Sequence, residues 1–128
     1  MDVSIIIINY NTISFLIDAV DSIFAKTEGI EYEIIVVDNN SNDNSKTIIM
    51  EKYGKKVIYL SLPENIGFGR ANNEGAKIAK GRNLFFLNPD TLLLNNATKI
   101  LSDYLVMDTM VHNRFSTVLC CRILILTA

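Results

Sequence analysis

Three short runs of consecutive apolar residues, each followed directly by asparagine or aspartate, constrain this fold more than any other feature. The runs occupy positions 5–8, 34–37 and 84–87. A strand that is apolar on both sides must be covered on both faces, as in a parallel sheet with helices above and below it. Because the carboxyl ends of parallel strands meet at one edge, the polar residues after the runs should form one ligand site. Those polar residues are Asn9, Asn11, Asp38, Asn40, Asn88 and Asp90.

Segments with helical periodicity separate the predicted strands, which we place at about 3–9, 33–37, 57–60 and 83–87. The alternation predicts an α/β fold with a Rossmann-like, mostly parallel sheet, helices on both faces and right-handed crossovers. If the strand order is 3-2-1-4, the ligand crevice lies between the first and the fourth strand. Polar residues suited to begin the helices are Thr12 or Ser14, Asp43 or Asn44, and Asn95 or Asn96, with a further helix from about Arg70. The side chains expected to face inward include Ala71, Gly75, Ile78 and Ala79 on the third helix, and Ala97, Ile100, Leu101, Tyr104 and Leu105 on the last.

Size, charge and cysteine content exclude several classes of protein. A chain of 128 residues fits one domain, and a net charge of −2 without a basic stripe argues against a nucleic-acid partner. No run reaches the roughly 18 apolar residues of a membrane span, and none resembles a signal peptide. Cys120 and Cys121 are adjacent, which suits core thiols better than a disulfide. We therefore expect a cytoplasmic protein, either free or peripheral at the inner face of the membrane.

Tyr10, Asp38 and Asp90 offer the groups that a nucleotide sugar needs. A tyrosine ring can stack on a base, and the Asp38 carboxylate can accept hydrogen bonds from a base N–H or a ribose hydroxyl. Asp90 can bind Mg²⁺ or Mn²⁺ that neutralises a diphosphate. Each has a structural alternative: strand-end packing for Tyr10, a turn residue for Asp38, and a type I turn at 88–91, which is compatible with a metal role.

Gly67 and Arg70 belong to a glycine-bearing segment that precedes a helix. The segment resembles a phosphate cradle, but it follows the third strand and lacks the third glycine of a dinucleotide fingerprint. Arg70 fits either a solvent-exposed charge or a diphosphate contact, and we favour the contact.

Four segments, in this order, resemble the amino-terminal half of a family-two glycosyltransferase with the GT-A fold. They are INYN at 8–11, VDNNSND at 37–43, NIGFGRANNEG at 65–75 and FLNPDT at 86–91. The last two most resemble the rhamnosyltransferase-like branch. The resemblance covers about 3–105 and implies a nucleotide-sugar-binding subdomain at 1–108, followed by an atypical tail at 109–128 that could add a strand.

The resemblance also implies roles for individual residues. Tyr10 and Asp38 would hold the nucleoside of a UDP- or dTDP-sugar, and Asp90 would close the family's Asp-x-Asp motif, in contact with Mg²⁺ or Mn²⁺ and the diphosphate. Asn88 replaces the first aspartate of that motif, which suggests weaker metal binding or a metal bridged mainly by the diphosphate. Asn72 lies where the family's helix approaches the donor.

The implied reaction is inverting transfer of a hexosyl-type sugar to a polysaccharide or lipid-linked acceptor, with a carboxylate that deprotonates the acceptor hydroxyl. After Thr91 the only acids are Asp103 and Asp108, and both fall in a helical region outside any family motif. No catalytic residue is therefore assigned. We expect a truncated chain that binds nucleotide but does not turn over alone, since the acceptor half is missing.

A non-catalytic nucleotide-binding or receiver-like α/β module is the main alternative. A receiver domain would need an acidic pair after the first strand and a lysine after the fifth, and 9–11 and the tail supply neither. A nicotinamide-binding domain would need glycines after the first strand. A homodimer through the apolar segment 118–126 is a further hypothesis, drawn from unburied apolar surface alone.

Overall fold

A five-stranded parallel sheet forms the centre of the protein. The structure is a computed structural model that describes residues 1–112 and 118–120, with side chains through residue 107. The strand order is β3-β2-β1-β4-β5, so the condition under which a crevice lies between the first and the fourth strand is met. The strands are β1 (Val3–Asn9), β2 (Tyr32–Asp38), β3 (Ile58–Ser61), β4 (Asn83–Leu87) and β5 (Val118–Cys120). The segment 121–126 of the predicted dimer contact lies outside the described residues, as do the side chains of 118–120.

Four helices cover the sheet, and both faces carry at least one. They are α1 (Ile13–Lys26), α2 (Ser45–Tyr53), α3 (Phe68–Ile78) and α4 (Ala97–His112). Alternate residues of each strand point to opposite faces, so β1 sends Ile5 and Ile7 to one core and Ile6 and Ile8 to the other. The first core contains side chains from α1, α2 and α4, and the second contains side chains from α3. The predicted α/β architecture with helices on both faces is therefore confirmed.

Helix α3 lies unusually close to the sheet because its inner face is made of small residues. A Cβ atom placed on Gly75 would lie 2.7 Å from Ile6 Cγ2 and 3.0 Å from Val37 Cγ2. Ala71, one turn earlier, is also fully buried. The close approach fixes the start of α3 beside the ends of β1 and β2, where the ligand site is expected.

The strand order reverses next to β1, and this reversal opens a crevice. From β1 the chain moves outward to β2 and β3, and it then crosses back so that β4 pairs with the other side of β1. Asn9 pairs with Asp38, and Ile7 pairs with Leu87, the last residue of β4. In parallel sheets such a reversal point is where ligands bind, outside the carboxyl ends of the strands.

Two helices differ from their predicted limits or faces. Helix α3 begins at Phe68 instead of Arg70, because Gly67 at φ 83° starts the first turn and its carbonyl accepts the N–H of Ala71 at 3.1 Å. Ile78 at its end is 39% exposed instead of buried. Helix α4 continues to His112, four residues past the predicted subdomain limit.

The inward face of α4 was predicted correctly only in part: Ala97, Leu101 and Leu105 pack inward, whereas two other predicted residues do not. Ile100 and Tyr104 are 58% and 67% exposed. The buried face instead carries Thr98, which shares a 3.2 Å hydrogen bond with Thr27, and Ser102, which accepts one from Asn83. Hydrogen bonds of this kind remove most of the cost of burying a hydroxyl, so apolar spacing alone could not identify the face.

Candidate functional site

A cleft of about 590 Å³ opens beyond the carboxyl ends of β1, β2 and β4. Its walls come from the strand ends, from the first turns of α1 and α3, and from the loops after β3 and β4. The residues that line it are Ile8, Tyr10, Thr12, Phe15, Asn39, Asn65, Phe68, Asn88, Pro89 and Asp90. Among the sequence-predicted site residues, Tyr10, Asn88 and Asp90 therefore share one cavity.

Tyr10 and the turn after β4 face each other across the reversal point. Tyr10 is 47% exposed, so a large part of its ring is available to a ligand. The segment 88–91 is a turn, in which the Thr91 N–H donates to the Asn88 carbonyl at 3.1 Å. This turn exposes the side chains of Asn88 and Asp90 on the cleft wall. A turn at 88–91 is therefore compatible with a role of both residues in ligand binding.

Asn9 lies behind the cleft wall and organises it from within. It is fully buried, and its Nδ2 donates to Asp38 Oδ1 at 2.9 Å and to Ser41 Oγ at 3.2 Å. Its Oδ1 accepts a hydrogen bond from the Thr12 hydroxyl at 2.8 Å. Thr12 precedes α1, as predicted, but its hydroxyl makes no capping hydrogen bond to the helix, because it donates to Asn9 Oδ1 instead.

Asp38 is 7% exposed and lies outside the set of cleft-lining residues. Its carboxylate accepts hydrogen bonds from Asn9, from the Ser41 hydroxyl and, at 3.1 Å, from the Ser41 backbone N–H. A carboxylate offers about four acceptor positions, so one position on Oδ2 is left over.

The Tyr59 hydroxyl is a neighbour of Asp38 that the sequence did not reveal. It is buried without a hydrogen-bond partner in standard geometry among the described residues. Burial, and next the charge of the Asp38 carboxylate, raise the pKa of Tyr59 well above its usual value. The Tyr59 phenol therefore stays neutral, and it is one more buried polar group behind the cleft.

Asn11 and Asn40 shape the loops next to the cleft, and neither lines it. Both adopt positive φ angles, 53° and 68°, a conformation that asparagine tolerates better than most residues. The Asn11 N–H donates to Ser41 Oγ at 3.0 Å, and its Oδ1 accepts from the Asn42 N–H at 2.7 Å. The loop after β1 is thus tied to the loop after β2.

Helix α3 places three predicted site residues near the cleft without adding them to its wall. Gly67 at φ 83° occupies a backbone conformation that favours glycine. Arg70 is exposed in the first turn and forms no ion pair with the side chains that the structure describes. Asn72 is 9% exposed, and within that same part of the chain its side chain has no hydrogen-bond partner.

Seven residues of the cleft wall were not among the predicted site residues: Ile8, Thr12, Phe15, Asn39, Asn65, Phe68 and Pro89. Phe15 and Phe68 lie in the first turns of α1 and α3 and are 57% and 51% exposed. An exposed aromatic ring in the first turn after a strand end is a signal that sequence reading could have used. Asn39 and Asn65 stand in the motifs that carried the resemblance, but no pattern separates them from their neighbouring asparagines.

The cleft could hold a divalent cation only with help from a ligand. Among the described residues, no group of three histidine, cysteine, aspartate or glutamate side chains is placed to bind a metal. Asp90 supplies one carboxylate, and Asn88 beside it supplies an amide oxygen. Mg²⁺ is commonly held by one or two carboxylates together with substrate phosphates, so this donor set fits a cation that arrives with a diphosphate.

In the described part of the chain, no helix combines the length and apolar character that crossing a bilayer requires.

The curated relatives of this chain include two proteins that share more than 30% sequence identity with it. The poly(ribitol-phosphate) beta-N-acetylglucosaminyltransferase TarP of Staphylococcus aureus is 33% identical over 80% of this chain and 32% of its own length. The minor teichoic acid biosynthesis protein GgaB of Bacillus subtilis is 38% identical over 72% of this chain and 11% of its own. The chain thus spans about a third or less of these relatives.

Solved structures agree with the sequence relatives. Residues 1–349 of S. aureus TarS, in complex with UDP-GlcNAc, superpose with a TM-score of 0.72 and 28% identity over 86% of this chain and 32% of that chain. The GT-A fold predicted from the sequence is therefore confirmed. Residues 4–113 match the profile of glycosyl transferase family 2, and this chain belongs to that family.

Proposed function

We propose that this chain is the donor-binding part of an inverting glycosyltransferase that uses a UDP- or dTDP-sugar. The acceptor in this proposal is a cell-surface polysaccharide or its lipid-linked precursor. The observation that carries it is the cleft at the reversal point, which Tyr10 and the turn at 88–91 face together. Family membership and the likeness to a TarS complex with UDP-GlcNAc support the choice of donor.

The nucleoside lies, in this proposal, at the β1 and β2 side of the cleft. The exposed ring of Tyr10 stacks on the base, an arrangement that uses both its apolar face and its position at the strand end. Asp38 contributes its one free acceptor position on Oδ2 to a base N–H or a ribose hydroxyl. Asn9 and Ser41 hold that carboxylate in place, and Asn11 and Asn40 fix the loops around it.

The diphosphate lies at the β4 side. There Asp90 and the Asn88 amide oxygen contribute to binding of Mg²⁺ or Mn²⁺, and a divalent cation is typical of glycosyltransferases with this fold. When bound, the cation would stabilise the charge of the departing nucleoside diphosphate. Arg70, exposed in the first turn of α3, adds a positive charge that can contact the diphosphate in this proposal.

The residue that deprotonates the acceptor is assigned to no side chain that the structure describes. Asp103 pairs with Lys99 on α4 and lines a separate hollow with Asp2 and Arg82, at the amino ends of the strands. It is therefore at the wrong end of the sheet for catalysis. The relatives are more than twice as long as this chain, and in this proposal transfer to an acceptor depends on the part that they have in addition.

Calorimetric titration with UDP and dTDP, with and without Mn²⁺, tests this proposal. We expect Asp90→Ala to weaken Mn²⁺-dependent binding at least tenfold, a loss of about 1.4 kcal/mol, because no second carboxylate takes its place. Asp90 is exposed, so the variant should keep the stability of the wild type.

Asp103→Ala is the matched control, since it removes an exposed acid at the far end of the sheet and should leave binding unchanged. Absence of binding to either nucleotide would overturn the proposal. Equal Mn²⁺-dependent affinities of wild type and Asp90→Ala would overturn the metal role of that residue.

A further inference from the structure

Four lysines concentrate positive charge on α2 and on the 3₁₀ turn Gly54–Lys56 that follows it. They are Lys46, Lys52, Lys55 and Lys56. Positions 46–56 contain one acid, Glu51, so this segment has a net charge of +3. The net charge of the whole chain is −2, which leaves −5 for all other positions. A chain that is acidic overall but carries one basic segment has an asymmetric field, which favours contact between that segment and an anionic partner.

Three of the four lysines are available to such a partner. Lys52 is not one of them, because its Nζ lies 3.2 Å from Oδ2 of Asp21 on α1. Lys46, Lys55 and Lys56 are exposed, and none of them forms an ion pair with a side chain in the described part of the chain. No neighbouring carboxylate in that part of the chain therefore neutralises these three charges.

The basic segment lies at the β3 edge of the sheet. Helix α2 contacts β3, which is the outermost strand, and the 3₁₀ turn leads directly into it. Lys46 and Met50 are one turn apart on α2, so their side chains project from the same side of the helix. Met50 is 44% exposed, and Ile58 of β3 is 38% exposed. The surface called the basic edge below consists of Lys46, Met50, Lys55, Lys56 and Ile58.

The basic edge is separate from the cleft. Strand β2 lies between β3 and β1, so the edge strand is about 10 Å from the strand where the cleft opens. None of the residues of the basic edge lines the cleft. A partner bound along this edge would therefore leave the cleft open to a nucleotide.

We propose that the basic edge binds a membrane surface rich in anionic phospholipid. In this proposal the lysine ammonium groups contact lipid phosphates, and Met50 and Ile58 enter the boundary between headgroups and acyl chains. These two apolar side chains are not aromatic, whereas a site for single-stranded nucleic acid offers aromatic rings on which bases stack. A protein held in this way is peripheral at the membrane, one of the two locations expected from the sequence. Lipid binding by the edge is independent of nucleotide binding in the cleft.

Cosedimentation of the full chain with lipid vesicles tests this proposal. A lysine close to an anionic membrane raises the partition coefficient roughly fivefold, so three lysines should raise it roughly 100-fold. We therefore expect a preference of that size, at low salt, for vesicles that contain phosphatidylglycerol over vesicles of phosphatidylcholine alone. The preference should fall as salt is raised, because the Debye length shortens to about 8 Å at about 0.15 M. This comparison uses only the wild type, so it does not depend on the folding of a variant.

Lys55→Glu locates the binding surface. It replaces an attractive charge by a repulsive one, and it should lower partition onto phosphatidylglycerol vesicles by about tenfold or more. Lys99→Glu is the matched control, because it makes the same change of charge on α4, whose Ser102 bonds to Asn83 of β4 on the far side of the sheet. The surface ion pair of Lys99 with Asp103 contributes little to stability, so this variant should fold. Its partition should change less than about twofold, because its charge lies more than a Debye length from the edge.

Two outcomes would overturn the proposal. One is equal partition of the wild type onto the two kinds of vesicle, and the other is an equal loss in Lys55→Glu and Lys99→Glu, which would reflect net charge alone. Tighter binding of the wild type to single-stranded DNA than to phosphatidylglycerol vesicles would likewise overturn it in favour of a nucleic-acid partner. Titration with UDP is a separate measurement: Lys55→Glu should keep the nucleotide affinity of the wild type, and failure of the wild type to bind nucleotide would overturn the proposed function only.

Discussion

The two ends of the sheet are both rich in hydrogen bonds, but they use them differently. At the amino ends, Glu33 Oε1 accepts the Ser4 hydroxyl and the Lys80 N–H, and Ser4 Oγ accepts the Gly81 N–H at 2.8 Å. Asp2 pairs with Arg82, whose hydrogen bond holds the pKa of Asp2 below its usual value. These donors and acceptors form hydrogen bonds with one another.

At the carboxyl ends most inner polar groups are also hydrogen-bonded, with the Tyr59 hydroxyl as an exception, whereas several outer ones are not. Asn9, Asp38 and Ser41 bond to one another behind the wall of the cleft. In front of them, Asp90 and the Asn65 NH₂ have no partner in the described part of the chain. Under the proposed function, the comparison predicts that the amino end contributes mainly stability and the carboxyl end mainly binding, so single changes should separate the two properties.

The largest expected effect lies at the amino end, where Gly81 packs directly against β1. A Cβ at this position would lie 2.3 Å from the backbone nitrogen of Ser4 and 2.5 Å from the carbonyl carbon of Val3. Neither atom can move without shifting the central strand. We expect Gly81→Ala to lower the free energy of unfolding by about 3 kcal/mol or more, measured by urea denaturation.

Gly69→Ala is the matched control for this prediction. Gly69 lies in the first turn of α3, and a Cβ there meets nothing within 4 Å. Because alanine favours helix more than glycine does, this variant should be as stable as the wild type or more stable by up to about 1 kcal/mol. Equal stability of Gly81→Ala and the wild type would show that the amino end is not closely packed.

A smaller effect, and a stricter test of the comparison, comes from Glu33. Removal of its carboxylate leaves the fully buried Ser4 hydroxyl without its acceptor, which we expect to cost about 1–3 kcal/mol in Glu33→Ala. Nucleotide affinity should not change, whereas Asp90→Ala should show the opposite pattern. Glu33→Gln keeps an acceptor oxygen and should recover most of the stability; a loss of nucleotide binding in folded Glu33→Ala would break the separation of the two ends.

The smallest expected effect concerns pH and the carboxyl end. The raised pKa of Tyr59 means that the folded state keeps a proton that the unfolded chain releases above pH 10.0. Stability from this group is complete below that pH and is lost as pH rises toward the folded-state pKa. The loss amounts to at most about 1.4 kcal/mol per pH unit.

Unfolding free energies measured from pH 9 to pH 11 check this expectation. Tyr59→Phe should show a shallower decline than the wild type, although Tyr53, whose pKa is also raised, keeps part of the slope in both. Parallel curves for the two proteins would mean that Tyr59 ionises in the folded state as freely as in the unfolded chain.

The strands could be predicted because burial on both faces leaves a continuous run of apolar residues. The run at 5–8 is apolar throughout, and all of β1 is buried. The carboxyl ends of parallel strands lie at one edge of the sheet. Tyr10, Asn88 and Asp90 could therefore be placed in one cleft from the sequence alone.

Features decided by individual hydrogen bonds could not be predicted in the same way. Thr98 and Ser102 face the core because Thr27 and Asn83 happen to lie opposite them, a matter of tertiary structure. The chain likewise has eleven asparagines from Asn39 to Asn96, and only the contacts show that Asn39 and Asn65 form a hydrogen-bonded pair in the cleft wall.

Strand β3, described above as the outermost strand beyond β2, has a consequence for how copies of this chain meet one another. It is only four residues long, Lys55 and Lys56 stand just before it, and Pro63 follows it closely. Short length, positive charge and a nearby proline each discourage a foreign strand from adding to an open edge. The β3 edge should therefore resist pairing with strands of other copies of this chain. At this edge of the sheet, the chain should not readily form fibrils.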